Sequence, residues 1–179
     1  MKDIFRLILF VFACSLTVLT SAQEYTSSLT VSKDAEVVSS VPSVNYGSGQ
    51  TFSIGHSAAS AETKRSFIAF DFSTLPANAI ITDAKLKVYA VNVTGEDLDL
   101  YVERIDTIWY EDSVTWNNQP NAYFSDQVSI PNSISSQTGW QEFDVSNHVQ
   151  QFVNAPWYNQ GWRIMLQDET LSADYTVEY

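Results

Sequence analysis

From Ala35 to Tyr179 the chain is a succession of short stretches in which apolar and polar residues alternate at every second position. Turns rich in Pro, Gly, Asn and Ser divide them. A two-residue period is that of a β-strand with one buried and one wet face. Residues 84–91 show it most cleanly: Ala84, Leu86, Val88 and Ala90 face one way, Lys85, Lys87 and Tyr89 the other. Residues 98–105 repeat it, with Leu98, Leu100 and Val102 inward and Asp99, Tyr101 and Glu103 outward. In 65–72 both parities are apolar, Phe67 and Ala69 against Ile68, Phe70 and Phe72, as a central strand requires. Further strands are expected at 35–40, 51–56, 139–145, 161–167 and 174–179. The period changes once. Val145, Val149 and Phe152 share a helical face, which predicts one short helix near residues 146–154, stopped near Pro156. His148 lies off that face and is expected in solvent. Strands alternating with long helices do not occur, so an α/β sheet is disfavoured. The expected fold is all-β, a sandwich of two antiparallel sheets, with a closed barrel as the rival.

Composition narrows the function classes. The 179 residues are 45% hydrophobic and 13% aromatic, ample for one core and too apolar for a disordered tail. Against 21 Asp+Glu stand 9 Lys+Arg, a formal charge of −12. Nothing in that balance could neutralise a row of phosphates, so nucleic acid is excluded as a partner. An anionic membrane surface is disfavoured on the same ground. The one Cys, Cys14, allows no intrachain disulfide.

Residues 1–22 read as a signal peptide: Lys2 and Arg6 open it, residues 7–19 are almost wholly apolar, and Thr20-Ser21-Ala22 suits cleavage before Gln23. The apolar run is shorter than the roughly 20 residues a membrane span needs. A lipoprotein anchored through Cys14 is the lesser alternative, because apolar residues continue beyond it. Cleavage removes Lys2, Arg6 and Asp3, leaving 7 Lys+Arg against 20 Asp+Glu, a charge of −13. Residues 23–33 are expected as a flexible leader and 34–179 as the sandwich. The protein is expected to be secreted, periplasmic or displayed at a bacterial cell surface. Without disulfides its stability must come from core packing or bound ions.

Several segments then fall into a recognisable order. Asn45-Tyr46-Gly47 sits in the first loop, and Arg65 precedes Phe67-Ile68-Ala69-Phe70-Asp71-Phe72. Trp109-Tyr110-Glu111 leads to Val114-Thr115-Trp116-Asn117-Asn118-Gln119-Pro120. Trp140, Phe143-Asp144-Val145-Ser146 and Val149 follow, then Asn159-Gln160-Gly161-Trp162 with Ile164 and Leu166. In this ordered set the chain resembles the DNRLRE-type domains, secreted modules related to carbohydrate-binding modules. The resemblance implies a jelly-roll β-sandwich with a binding or adhesive role, in a family some of whose members bind anionic polysaccharides such as alginate. It departs at the C-terminal end, where Gln167-Asp168-Glu169-Thr170 passes quickly into the last strand.

Catalysis finds less support than binding. The two His, His56 and His148, and a mature chain without Cys make a poor zinc set. No Gly-x-Ser-x-Gly elbow is present. Glu111/Asp112 and Asp168/Glu169 are adjacent carboxylates of the kind that solubilise turns. If the chain is an enzyme, a polysaccharide lyase is the class its Tyr, His, Lys and Arg residues could serve. Calcium is the more plausible ion, since a hard cation takes loop carboxylates. Asp34, Glu36, Asp168 and Glu169 are its candidate ligands, because first and last strands often meet in sandwiches.

Sugar surfaces set aromatic rings among hydrogen-bonding groups. Trp116, Trp140 and Trp162 fall in patterned segments and are expected to be structural. Trp109, Tyr110, Trp157, Tyr158, Tyr46 and Tyr123 lie near turns and are the candidate ligand rings, with Asn117 and Asn118 as candidate amide donors. The expected partner is a polysaccharide. A polyanion would need basic groups that are scarce here, so a neutral glycan is at least as well suited as an acidic one. The alternative function is a structural sandwich that contacts other cell-surface proteins.

Overall fold

The structure, a computed structural model, describes residues 24–95, 98–170 and 174–179. The expected signal peptide over 1–22, Cys14 included, lies outside the described residues. Ten strands form: β1 (Val31–Val38), β2 (Ser53–Ser57), β3 (Glu62–Phe70), β4 (Lys85–Ala90), β5 (Asn92–Thr94), β6 (Leu100–Arg104), β7 (Val128–Ile130), β8 (Gly139–Asp144), β9 (Trp162–Leu166) and β10 (Tyr175–Glu178). A single helical turn, α1 (Asn132–Ser135), precedes β8, and α2 (Ser146–Asn154) follows it. The expected helix is α2. β1 opens at Val31, inside the segment expected as leader. β5 and β7 are three residues long, too short to show a period, and were not foreseen.

The strands make an all-β sandwich of two antiparallel sheets. The larger runs β5-β10-β2-β3-β9-β6-β7, and the smaller pairs β4 with β8. β3 carries β1 along one edge and β2 and β9 along the other, since Lys64 pairs with both Val38 and Gly55, and Ile68 with both Asp34 and Trp162. The main core lies between the sheets. Leu86, Val88, Ala90 and Phe143 of the small sheet meet Ile54, Ile68, Leu100, Val102, Ile164, Leu166 and Val177 of the large one. Val149 and Phe152 of α2 join them. Each Leu, Ile, Val or Phe side chain among them contributes about 1.5–3 kcal/mol when buried. Gln141 is buried there too, and its amide is satisfied: Nε2 donates to the Ser135 and Gln137 carbonyls at 2.8 and 2.9 Å, and Oε1 accepts from Tyr179 at 2.6 Å.

β3 buries its other face as well. Phe67 and Ala69 pack with Ala35 and Val37 of β1 against Ile105, Trp109 and Val114 of the excursion after β6. Two expectations change. Glu103 does point away from the main core, yet it is 1% exposed, held by Arg163 and Gln127. His148 is also buried, on the main-core side, with Trp162 at one ring nitrogen and the Asp126 carbonyl at the other. No described helix is long and apolar enough to cross a membrane.

Candidate functional site

The outward face of the small sheet is set by alternation. Lys85, Lys87 and Tyr89 of β4 stand opposite Asp144, Glu142 and Trp140 of β8. The charged pairs close across the strands, Lys87 Nζ to Glu142 at 2.6 Å and Lys85 Nζ to Asp144 at 2.9 Å, with Asp83 at 3.1 Å. Hydrogen bonds from Ser146 and then Lys85 hold the Asp144 carboxyl well below the usual range. Tyr89 and Trp140 end the row in edge-to-face contact, centroids 5.3 Å apart and planes at 80°. They are 51% and 65% exposed. Trp140, expected as a structural anchor of the core or a turn, therefore stands in solvent. The parity of Glu142 and Asp144 already carried that signal, since Trp140 shares it while Gln141 and Phe143 turn inward.

Beside this pair a groove of about 230 Å³ opens between the sheets. Ile68 and Val88 lie within it, and Asp34, Gln50, Thr51, Lys87, Tyr89 and Tyr179 also line it. Burial, and secondarily the Glu111 charge, push the Asp34 carboxyl up. Tyr89 and Lys87 belong to both surfaces, so the exposed aromatic corner is continuous with the groove.

Three of the candidate rings meet at the far end of β6. Arg104 is buried, with its guanidinium 4.2 Å from the Tyr123 ring and 5.5 Å from Tyr158. Its Nε and Nη2 donate to Asp126 at 3.2 and 3.0 Å. Trp157 packs on Tyr158 at 5.8 Å and is 72% exposed. Phe124, not foreseen, is exposed next to Tyr123.

The remaining candidates do not join either surface. Trp109 is buried: its ring packs on Phe67, Lys33 lies over it at 4.2 Å, and its N–H donates to Gln160. It anchors the excursion and offers no face to a ligand. Tyr110 is exposed above it, beside a hollow of about 110 Å³. Tyr46 lies in a loop whose neighbour Asn45 donates to the Glu111 and Val114 carbonyls at 2.7 Å. Asn117 donates to Ser43 and so ties this turn to the first loop, while Asn118 takes up Thr115 and Ser113 and closes the turn itself. Trp116 is half-buried with Arg65 stacked on it at 4.6 Å, and Trp162 is in the core, as expected of both.

The four carboxylates suggested for calcium do not converge. Glu169 grips Arg65 with both oxygens, at 2.7 and 2.6 Å. Glu36 accepts from the Ser53 amide and pairs with Lys64, and Asp168 caps Thr170. Asp34 faces the groove alone. Among the described residues no three His, Cys, Asp or Glu group together as a metal site would require. These residues as they stand do not fit the ion.

No curated protein matches the chain. The family model for carbohydrate-binding module family 96 matches residues 25–177, which takes in the aromatic corner and all of both sheets but the last residue of β10. With that span covered almost end to end, the chain belongs to carbohydrate-binding module family 96.

Proposed function

We propose that this is an exported, non-catalytic module that holds a polysaccharide, and that the Tyr89–Trp140 corner is its contact. The observation carrying this reading is the pair itself: two large rings on a rigid strand pair, in mutual contact and more than half exposed. Perpendicular rings make a floor and a wall, so one can lie flat under a pyranose while the other closes its edge. The groove alongside has room for a small polar group, with Gln50 and Thr51 at its rim. Export rests on the character of residues 1–22. The narrower likeness to DNRLRE-type domains belongs to the same proposal and rests on the ordered residues between Asn45 and Leu166.

Affinity electrophoresis through gels containing soluble polysaccharides tests this. Trp140→Ala and Tyr89→Ala should abolish retardation while thermal melts stay near those of the parent. Retardation that survives both substitutions would move the contact elsewhere, and loss in Trp157→Ala alone would move it to the Tyr158 end. The protein-interaction reading draws on that same end, where Trp157 and Phe124 are the most exposed large rings. It gains if no polysaccharide retards the protein.

A further inference from the structure

We infer that the polysaccharide taken at the Tyr89–Trp140 corner is uncharged; the inference rests on that corner being a sugar contact. Seven Lys and Arg lie among the described residues, and the structure engages every one. Arg65 is paired with Glu169, Arg104 with Asp126, Arg163 with Glu103 and Lys64 with Glu36 and Glu62. Lys85 is held by Asp83 and Asp144, and Lys87 by Glu142. Lys33, the seventh, donates to the Trp109 carbonyl at 2.8 Å and lies over its ring. A uronate or sulfated chain needs spare cations at repeating intervals along its path. Here it would have to take them from existing partners.

The balance around the corner makes that exchange unfavourable. On the outward face of the small sheet three carboxylates, Asp83, Glu142 and Asp144, stand against Lys85 and Lys87. Drawing Lys87 to a ligand carboxylate would leave Glu142 unpaired next to that same ligand. The groove adds the Asp34 carboxyl and the uncharged Gln50 and Thr51. Beyond contact distance, the formal charge of −13 left on residues 23–179 repels a polyanion at every approach. A neutral pyranose meets none of these costs. Its apolar face suits a ring, and its hydroxyls can share the amide of Gln50 and the outer lone pairs of Glu142 without displacing an ion pair.

The test is affinity electrophoresis of the protein in uncharged gels and in gels carrying glucan, xylan, glucomannan or polyuronate, at low and high salt with a chelator present. The expected result is retardation by one or more uncharged polymers, changed less than about twofold by salt and weakened roughly tenfold or more in Trp140→Ala. Retardation by polyuronate that fades steeply with salt overturns the uncharged class yet leaves sugar binding intact. Retardation by none of the polymers overturns the sugar reading itself, and this inference with it.

Discussion

The indole N–H of Trp162 donates to Nδ1 of His148 over 2.9 Å, which fixes the imidazole proton on Nε2, 2.7 Å from the Asp126 carbonyl oxygen that accepts it. A proton on Nδ1 would set two N–H donors against each other. Burial holds the His148 pKa below its ordinary value; the Asp126 contacts oppose this and the Arg104 charge adds to it.

The consequence is a pH-dependent stability. An unfolded chain takes up the His148 proton near pH 6.5, whereas the folded chain refuses it until a lower pH. Stability is therefore complete above that value and declines as pH falls between the unfolded and folded pKa. The slope is at most about 1.4 kcal/mol per pH unit. Urea unfolding of the parent and of His148→Gln, taken from about pH 8 to about pH 5, should show a decline in the parent that the variant lacks. Parallel curves would remove the role given to this proton.

Buried and exposed ion pairs should part company. Glu103 is 1% exposed and accepts from Arg163 Nε at 2.8 Å as well as from Gln127. Glu103→Ala leaves the Arg163 guanidinium without its carboxylate under the excursion, a loss of about 3 kcal/mol. Lys87→Ala breaks a pair that solvent already screens, and should cost under about 1 kcal/mol. Denaturant titrations of the two variants give the comparison directly. Equal losses would mean that Glu103 is effectively hydrated.

Two tryptophans separate folding from binding. Trp109→Ala opens a cavity between Phe67 and Val114 and should cost about 3–5 kcal/mol. Trp140→Ala removes a ring from solvent and should leave the melting temperature nearly unchanged while losing polysaccharide retention. A large fall in stability for Trp140→Ala would make its ring a packing element.

These residues also show what the sequence made legible. Alternation in 84–91 placed Leu86, Val88 and Ala90 inside and Lys85, Lys87 and Tyr89 outside, and the small sheet has that pattern. The same rule applied to 139–145 puts Trp140 outside; its size and patterned surroundings argued the opposite, and parity won. Parity could not reveal the cover. Glu103 and Trp109 are buried because the excursion after β6 folds back over β3 and β9, a long-range contact with no local period. His148 is hidden on the main-core side instead: α2 buries it and Val153 besides its apolar stripe, with Trp162 and Asp126 closing on its ring. Tyr123 and Tyr158 are candidates one by one in the sequence, but only the register of β6 brings the Arg104 cation between them.

The last expectation concerns the backbone that sets β9 in place. Gly161 has φ of +82°, and its carbonyl accepts from the Ile105 amide at 3.0 Å. A Cβ there would overlap the Ile68 carbonyl oxygen and the Ala69 side chain, both on the central strand. Gly139, at φ of +110°, has open space where a Cβ would go. Gly139→Ala therefore measures the cost of the left-handed backbone alone, about 1–2 kcal/mol. Gly161→Ala adds an overlap with backbone that cannot swing aside, so its loss should exceed that of Gly139→Ala by at least about 1 kcal/mol. Denaturation of the two variants side by side reads the difference. Equal losses would show that β3 and the turn into β9 can move apart, and that this close approach does not position Trp162.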